Sequence, residues 1–394
     1  MARVVRDADI VLCLNSGSSS LKFALFSAGD EGEEHLADGS IEKAPDGVTR
    51  ASLRKGEGRT DRPVRDGGPS AALEAAFSLL DEARLPPPTL AGHRVVHGGS
   101  RHVSPERIHP ALVTSLRDLV PLAPLHLPAA IAVIEAIVER SPTLPQVACF
   151  DTAFHSTLPD VASRFAVPDR FVDAGVRRYG FHGLSYEYIM SVLGASAPPR
   201  VVIAHLGNGA SLVAVQDGHA VDTTMGLTPT GGIPMGTRTG DLDPGVLLFL
   251  ARTMGQSVDD IQHVVNHESG LLAIGGTPDM RALLARSASD ARARLAVEIF
   301  GYAVRKAIGA FAAALGGLDL VVFTGGIGEN SPAVRAEACR GLEMLGITLD
   351  AAENARGKDV ISAEESRCRV RVIATDEDRV VARHTRRLVR SASR

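Results

Sequence analysis

The sequence predicts an α/β fold made by duplication, in which two related halves enclose an active-site cleft. Two similar turns, at residues 15–22 and 205–211, each lie between short apolar runs that are typical of strands. Strand-like runs and helical periodicities then alternate after both turns. A chain of 394 residues is long enough for two such domains, and clefts between domains are common ligand sites.

The elements of the first half follow in this order. Residues 24–70 predict a variable surface region, with a hairpin tip at 30–34 and no identifiable chemistry at 45–70. Helical spacing extends over 71–85, 112–119 and 129–140, and strands are predicted at 92–96 and 146–150. The last of these strands stops at an acid, Asp151.

The second half repeats this pattern. A hairpin at 201–215 precedes a loop rich in Gly and Pro at 225–240, helices near 243–267 and 290–315, and a strand at 318–323. That strand leads into a third glycine turn, 324–331, and a further strand is predicted at 370–373. The arginine-rich end predicts the solvated side of a terminal helix, with a contact to a polyanion as the alternative.

Composition argues against several classes of function. A net charge of −4 disfavours a nucleic-acid-binding protein, which would carry a basic face. No apolar run reaches the roughly 18 residues of a membrane span, and the short run at 10–14 does not predict a signal peptide. The four cysteines are scattered without a zinc-binding spacing, and they predict a reducing, cytoplasmic compartment.

The glycine turns predict phosphate binding. Glycine lets backbone N–H groups approach an anion, and Ser, Asn or Lys adds side-chain donors. The alternative for the first turn alone is an ordinary Ser/Gly β-turn. A P-loop sequence is absent, and no complete dinucleotide-binding fingerprint follows a strand. Two such turns on duplicated halves therefore favour phosphoryl transfer.

Two arginines occupy unusual positions. Arg94 lies between apolar residues of a strand, where an unpaired charge is costly, and Arg238 lies in a glycine-flanked loop. Arginine suits bidentate binding of carboxylate or phosphoryl oxygens. The alternatives are a structural ion pair for Arg94 and a loop salt bridge to Asp241 or Asp243 for Arg238.

Acids and histidines complete the set of candidates. Mg²⁺ prefers oxygen ligands and keeps several waters, so Asn15, Asp151 and Glu377 are candidate ligands, with a cap for the following turn as the alternative for Asp151. A lone histidine is more often structural than catalytic. The joint occurrence of three in polar turns indicates donors around a transferring phosphoryl group, and these are His126, His182 and His205.

These residues resemble the acetate kinase family (acetokinases) of the actin/sugar-kinase superfamily over nearly the whole chain. The motifs that carry the resemblance are residues 15–22, 92–99, 177–183, 205–211, 234–241 and 323–330. The resemblance implies a duplicated, actin-like ATPase fold. Its N-terminal domain would comprise 1–152 and a C-terminal helix at 380–394, and its nucleotide-binding second domain would comprise 153–379.

The resemblance also implies an activity. It predicts a cytoplasmic homodimer that transfers a phosphoryl group reversibly and directly, in line, from ATP to acetate with Mg²⁺ or Mn²⁺. The products would be acetyl phosphate and ADP, and the alternative acceptor is propionate or another short-chain carboxylate.

Roles for single residues follow from the same resemblance. Arg94 and Arg238 would bind the carboxylate and the phosphoryl group, Asp151 would be the catalytic acid residue, and His182 with Arg238 would stabilise the transition state. Asn15 and Glu377 would hold the metal, and His126 would lie near the phosphates. The acyl pocket would contain Arg94, Val96, Leu125, Phe181 and Pro229. The nucleotide would contact Ser18, Ser20, Lys22, His205, Leu206, Gly207, Asn208, Gly209, Asp279, Met280, Arg281, Gly326, Ile327, Gly328 and Asn330.

The chain departs from the family pattern in three places, one of which is a slightly shortened loop at 277–281, where the family usually has Ser-Ser-Asp. It has Leu127 where the family usually has Asn, and Leu184, Ser185 and Tyr186 where the family usually has Thr, Ser and His. Acyl preference therefore stays open, as do GTP and pyrophosphate as donors. Two rival functions are a sugar kinase of the same fold, against which the paired arginines argue, and a non-enzymatic nucleotide switch, against which the full set of charged residues argues.

Overall fold

The computed structural model describes residues 8–17, 20–44 and 46–391. In these ranges the strands are β1 (Asp9–Ser16), β2 (Ser20–Gly29), β3 (Gly32–Lys43), β4 (Thr49–Lys55), β5 (Gly58–Pro63), β6 (Leu90–Val95), β7 (Glu106–Arg107), β8 (Gln146–Phe150), β9 (Arg200–Leu206), β10 (Ala210–Gln216), β11 (His219–Thr223), β12 (Leu320–Thr324) and β13 (Arg369–Val372). None of the helices within these ranges is both long enough and apolar enough to cross a membrane.

Helices alternate with these strands as predicted. They are α1 (Gly68–Glu82), α2 (Pro110–Asp118), α3 (Leu127–Arg140), α4 (Asp160–Ser163), α5 (Asp169–Asp173), α6 (Gly183–Leu193), α7 (Pro244–Arg252), α8 (Val258–His263), α9 (Gly270–Gly275), α10 (Met280–Arg286), α11 (Ala291–Ala314), α12 (Gly325–Asn330), α13 (Pro332–Cys339), α14 (Ala351–Arg356) and α15 (Glu377–Ser391). Short 3₁₀ or π turns occur at Val120–Leu122, Ala153–Thr157, Gly194–Ser196, Val264–Glu268 and Glu343–Leu345.

The chain forms two compact units. The first comprises Met1–Ala153 and Asp376–Arg394, and the second comprises Phe154–Thr375. The return of the chain to the first unit therefore occurs just before Glu377, whereas the sequence-based boundary lay at 379. This difference matters for the site, because it assigns Glu377 to the first unit.

Both units contain the same five-strand arrangement. In the first, β3, β2 and β1 are antiparallel neighbours, and β6 and β8 continue the sheet parallel to β1. In the second, β11, β10 and β9 are antiparallel neighbours, and β12 and β13 continue it parallel to β9. This shared topology confirms the predicted α/β class and the predicted duplication.

The first sheet contains further strands in addition to the five that it shares with the second sheet. Strands β4 and β5 extend one edge and β7 the other. The hairpin tip predicted at 30–34 is confirmed, since Gly29 pairs with Gly32 across the turn. Strands β4 and β5 were not predicted, because only Ala51 and Leu53 are buried on these two strands and the apolar alternation is too short to detect.

Each sheet packs helices on both faces. In the first unit α1 and α3 cover the face that carries Leu12 and Leu14, and α15 covers the opposite face. In the second unit α6 packs on the face of Val201 and Ile203, while α11 contacts β9 and β10. The carboxyl ends of the parallel strands in each unit thus lie beside the end of one covering helix, which is where the candidate residues occur.

Two sequence-based interpretations need correction. The predicted glycine turn at 324–331 is mostly helical, because β12 ends at Thr324 and α12 begins at Gly325. The arginines of the terminal helix are not merely solvated. Within the first unit Arg383 pairs with Glu33, and Arg390 pairs with Asp9.

Candidate functional site

The first unit brings three predicted charged residues together at one edge of its sheet. Arg94 lies on β6, Asp151 directly follows β8, and Glu377 is the first residue of α15. The Arg94 Nε donates to both carboxylate oxygens of Asp151 at 3.0 and 3.1 Å, and its Nη2 donates to Asp151 Oδ2 at 2.7 Å. The Arg94 Nη1 lies 3.1 Å from Glu377 Oε2. One guanidinium therefore bridges two carboxylates.

Charge density at this edge is high and mostly shielded from water. The Asp151 side chain is 1% exposed and that of Arg94 is 18% exposed. Burial works to lower the pKa of Arg94, but the charges of Asp151 and Glu377 raise it overall, so the guanidinium stays charged. Burial, together with Glu377 and Asp376, raises the pKa of Asp378 to about 7.

A glycine lets α15 approach the sheet closely enough to present Glu377. A Cβ atom at Gly92 would lie 2.4 Å from Thr385 Oγ1 and 2.5 Å from Val381 Cγ1, both on α15. The Cys13 Sγ contacts the carbonyl oxygen of Asp378 at 3.2 Å, which holds the first turn of this helix to β1. The position of Glu377 is thus determined by packing along the whole helix.

The donor set at this edge fits a hard cation that keeps most of its water. Asn15 and Glu377 offer oxygen ligands, and the excess of carboxylates attracts a cation. Among the described residues, no group of three or more His, Cys, Asp or Glu side chains forms a preformed metal cage. A cation here would need further oxygens from phosphate and water, which is typical of Mg²⁺.

The strands on either side of the first glycine turn pair as the sequence predicts. Asn15 on β1 is directly opposite Lys22 on β2, and the Gly17 N–H donates to the Ser20 carbonyl at 2.8 Å. Lys22 lines a cavity of about 420 Å³ that Asp378 also lines. Ser18, a predicted nucleotide contact, lies outside the described residues.

The residues predicted to form the acyl pocket are divided between the two units. Val96 and Leu125 belong to the first unit and are half-buried, and Phe181 and Pro229 belong to the second. Leu127, the first departure from the family pattern, begins α3 and is fully buried against Leu112, Leu116 and Ile131. Its side chain therefore contributes to the hydrophobic core, and the half-buried His126 precedes it as the N-cap residue of α3.

The second unit gathers histidines beside its glycine turn. His182 precedes α6 in a left-handed conformation, with φ 58° and ψ 24°, which is uncommon for a residue with a side chain. Its ring stacks on that of His205 at 4.3 Å between centroids. The His182 Nδ1 contacts Ser211 Oγ at 2.8 Å, and the His205 Nδ1 contacts Ser185 Oγ at 2.8 Å. Both rings are thus held by a hydroxyl at Nδ1.

Two side-chain nitrogens converge above Gly209. A Cβ atom built there would lie 3.4 Å from His182 Nε2 and 3.6 Å from Arg238 Nη1. Burial lowers the pKa of Arg238, and its Nη1 donates to the Pro229 carbonyl at 3.0 Å. The missing side chain at Gly209 leaves room for an anion beside a charged guanidinium and an imidazole nitrogen.

The acids proposed as alternative partners of Arg238 each accept a backbone hydrogen bond. The Asp241 carboxylate accepts from the Gly232 N–H at 2.7 Å, and that of Asp243 accepts from the Gly245 N–H at 2.7 Å as the N-cap of α7. These bonds stabilise the loop and the helix start. Arg238 Nη1 faces Gly209 from within this loop.

A cavity of about 600 Å³ in the second unit collects most of the residues that the resemblance assigned to the nucleoside. Asp279 caps α10 by accepting from the Arg281 N–H at 2.9 Å, and Asn330 donates to the Gly326 carbonyl at 2.9 Å. Leu206 and Gly328 are buried nearby and do not line the cavity. The predicted residues that line it are Gly207, Asn208, Asp279, Met280, Arg281, Gly326, Ile327 and Asn330.

Sequence reasoning missed several residues that organise this unit. Pro278, Leu284 and Ser331 also line the cavity. The Glu329 carboxylate accepts from the N–H groups of Gly325 at 2.8 Å and Thr375 at 3.1 Å, and so joins the ends of β12 and β13. The only available signal for Glu329 was an acid inside a glycine-rich segment.

Comparisons with known proteins agree on one family. The family model described as the Acetokinase family matches residues 10–383. The chain is 44% identical to an acetate kinase of Rhodopseudomonas palustris, covering 97% of this chain and 98% of the relative. It is 42% identical to an acetate kinase of Clostridium botulinum, covering 96% and 99%.

Solved structures lead to the same family. The crystal structure of Porphyromonas gingivalis acetate kinase matches with a TM-score of 0.87 and 36% identity, covering 97% of this chain and 100% of the other. A propionate kinase from Francisella tularensis matches with a TM-score of 0.90 and 35% identity, covering 96% and 99%.

Proposed function

Because this chain belongs to the acetokinase family, we propose that it catalyses reversible transfer of a phosphoryl group from ATP to acetate, giving acetyl phosphate and ADP. The observation that carries the proposal is the space above Gly209, faced by His182 Nε2 and Arg238 Nη1. Two fixed donors around a space of this kind suit a transferring phosphoryl group. Propionate is the alternative acceptor.

The chemistry needs positioning and charge neutralisation more than proton transfer. A carboxylic acid with a pKa of about 4–5 is already ionised at neutral pH, so the attacking oxygen needs no general base. We assign Asp151 to orienting Arg94, metal and substrate, since its carboxylate accepts three hydrogen-bond contacts from that guanidinium. Arg94 and Arg238 neutralise the two anions, and His182 donates to the equatorial oxygens during direct in-line transfer.

Nucleotide and metal have distinct supports in the structure. We place the nucleoside of ATP in the cavity of about 600 Å³, where Met280 and Ile327 offer apolar contact and Asn208 a polar one. Asn15 and Glu377 would hold Mg²⁺, with Mn²⁺ as an alternative. Bound there, the cation would neutralise charge on the nucleotide phosphates.

We propose that the enzyme works as a homodimer in the cytoplasm. Its four cysteines are all buried and form no disulfide, which suits a reducing compartment. Helix α7 has no buried residue, and its Leu248 and Phe249 are 53% and 55% exposed. An apolar helix of this kind suits a surface that a second copy covers.

Light scattering tests the dimer. The wild type is expected at twice the chain mass of 41.4 kDa, and Leu248→Asp is expected to shift it toward the monomer, since the charge enters the apolar contact. Met344→Asp is the matched control, because Met344 is 81% exposed in the same unit but outside α7. A wild type at the monomer mass contradicts the proposal.

A hydroxamate assay tests the activity. We expect acyl hydroxamate with ATP and Mg²⁺, formed best from acetate or propionate and less from formate or butyrate. Arg94→Ala and Arg238→Ala should each lower turnover by several orders of magnitude, roughly as the loss of phosphoryl-stabilising arginines does elsewhere. Arg356→Ala, which removes an exposed arginine that pairs with Glu353, should not. No product from any acid, with nucleotide still bound, would favour a binding protein.

A further inference from the structure

The buried hydroxyls of Tyr186 and Ser211 form a chain of hydrogen bonds that ends at the His182 imidazole. The Nε2 of this imidazole faces Gly209. The Tyr186 Oη lies 2.5 Å from Ser211 Oγ, and Ser211 Oγ lies 2.8 Å from His182 Nδ1. Tyr186 and Ser211 are fully buried, and His182 is 9% exposed. All three residues belong to the second unit.

The number of available protons determines which group donates and which accepts in each of these hydrogen bonds. The serine hydroxyl has one proton, so it can donate either to Tyr186 or to His182. A phenol is a stronger acid than an aliphatic alcohol, so the Tyr186 hydroxyl is the better donor of the two. When Tyr186 donates its hydrogen bond to Ser211, the Ser211 hydroxyl donates its own hydrogen bond to His182 Nδ1. Neutral His182 then carries its ring proton on Nε2.

This arrangement matters because Nε2 is the atom that faces the anion space. A proton on Nε2 makes the ring a donor toward negative charge, whereas a bare Nε2 would present a lone pair. We propose that Tyr186 is a positioning residue that acts through Ser211 to keep the proton of His182 on Nε2. This inference rests on the proposed function only for the effect on turnover.

Packing holds the phenol in place for this role. The Tyr186 ring meets His155 edge-on at 5.6 Å between centroids and is tilted against Phe154 at 6.0 Å. The His155 Nε2 in turn contacts the Phe181 carbonyl at 3.0 Å, directly before His182. His155 thus contacts both the Tyr186 ring and the backbone next to His182.

The neighbouring residue on α6 provides an internal comparison. Ser185 Oγ contacts His205 Nδ1 at 2.8 Å and Thr375 Oγ1 at 2.9 Å. This second chain of hydroxyls holds the ring stacked on His182 and does not include Tyr186. Loss of the Tyr186 hydroxyl should therefore change the proton position on His182 and leave that on His205 unchanged.

Nitrogen NMR of the wild type tests the proposal without any assay of turnover. The protein is labelled with ¹⁵N-histidine, and the His182 signals are assigned from a His182→Gln sample. We expect His182 as the Nε2–H tautomer in the wild type and a shift toward the Nδ1–H tautomer in Tyr186→Phe. The control is Tyr188→Phe, which removes one hydroxyl from the same helix at a partly buried position. An Nδ1–H tautomer in the wild type overturns the proposal.

Kinetics give the second readout. Tyr186→Phe is expected to lower kcat by about 10-fold to 100-fold, below the loss typical of removing a direct oxyanion donor. The KM values for acetate and ATP should change by less than about threefold, since ground-state contacts are retained. An unchanged kcat in folded Tyr186→Phe contradicts the role of Tyr186. If the protein proved to have no carboxylate kinase activity, only the proposed function would fail, because the tautomer measurement stands alone.

Discussion

At the scale of single residues, the most informative position in the second unit is one without a side chain. Gly209 lies in the turn between β9 and β10, and the space its Cβ would fill is faced by His182 Nε2 and Arg238 Nη1. Its neighbours would stay at ordinary contact distances of 3.4 and 3.6 Å if a methyl group were added. A substitution of Gly209 by alanine should therefore fill the space for a ligand without disturbing the fold.

We expect Gly209→Ala to fold normally and to lose at least about 100-fold in turnover, a loss comparable to removing one oxyanion donor. The methyl group would occupy the space that the phosphoryl oxygens need. Hydroxamate production and a thermal melt, measured on the same sample, check both parts of this expectation.

The matched control for Gly209→Ala is Gly309→Ala. Gly309 lies within α11, and its added Cβ would meet nothing within 4 Å. That variant should keep full activity and gain about 0.5–1 kcal/mol in helix stability. Normal turnover by Gly209→Ala would show that the anion does not bind above this turn.

At the scale of elements, α15 connects packing to chemistry in the first unit. Its first residue, Glu377, contacts Arg94, while Val381 and Thr385 pack over Gly92. Two arginines further along the helix also pair with the sheet region: Arg383 pairs with Glu33, and Arg390 pairs with Asp9. The helix is thus fixed at several points, and the carboxylate at its start is placed accordingly.

Gly92→Ala is expected to destabilise the first unit by about 1–3 kcal/mol, since the added methyl group overlaps two side chains of a packed helix. The shift of α15 should also move Glu377 away from Arg94 and lower turnover. Urea denaturation gives the free energy of unfolding, and the hydroxamate assay gives the activity. If the variant lost activity but stayed stable, or lost stability but stayed active, the shift of α15 would not be the cause of both losses.

At the scale of the whole molecule, buried histidines make stability depend on pH. Burial lowers the pKa of His155 from its ordinary value of 6.5 to about 4, and it lowers that of His93 likewise. Between pH values of about 4 and 6.5 the unfolded chain therefore binds more protons than the folded chain does. Stability is lost as the pH falls below about 6.5. Burial acts in the opposite direction on Asp378, whose raised pKa of about 7 favours the folded state as the pH falls.

A comparison with His155→Asn isolates one of these contributions. The variant should be less stable than the wild type at pH 8, because the contact with the Phe181 carbonyl is altered. The gap should narrow by about 2 kcal/mol at pH 5, since only the wild type must hold a buried imidazole neutral there. Unfolding free energies from urea titrations at both pH values check this, and a constant gap would show that the His155 ring is hydrated.

The sequence by itself determined the α/β class, the duplication and the chemistry of the candidate residues. Those features depend on local patterns, namely apolar periodicity, glycine turns and the residue types that bind anions. Strands β4 and β5 were not predicted because few of their residues are buried, and α12 was not predicted because its residues, rich in glycine, have low helix propensity.

Only the tertiary structure decided which of these residues meet. The bridge from Arg94 to Asp151 and Glu377 joins residues far apart in the chain, and the contact of Tyr186 with Ser211 depends on how α6 packs against β10. Such contacts depend on packing and burial across elements, where a hydroxyl or a carboxylate acquires its partner. Local sequence carries no record of that partner, and for this reason Tyr186 was noted only as a departure from a family pattern.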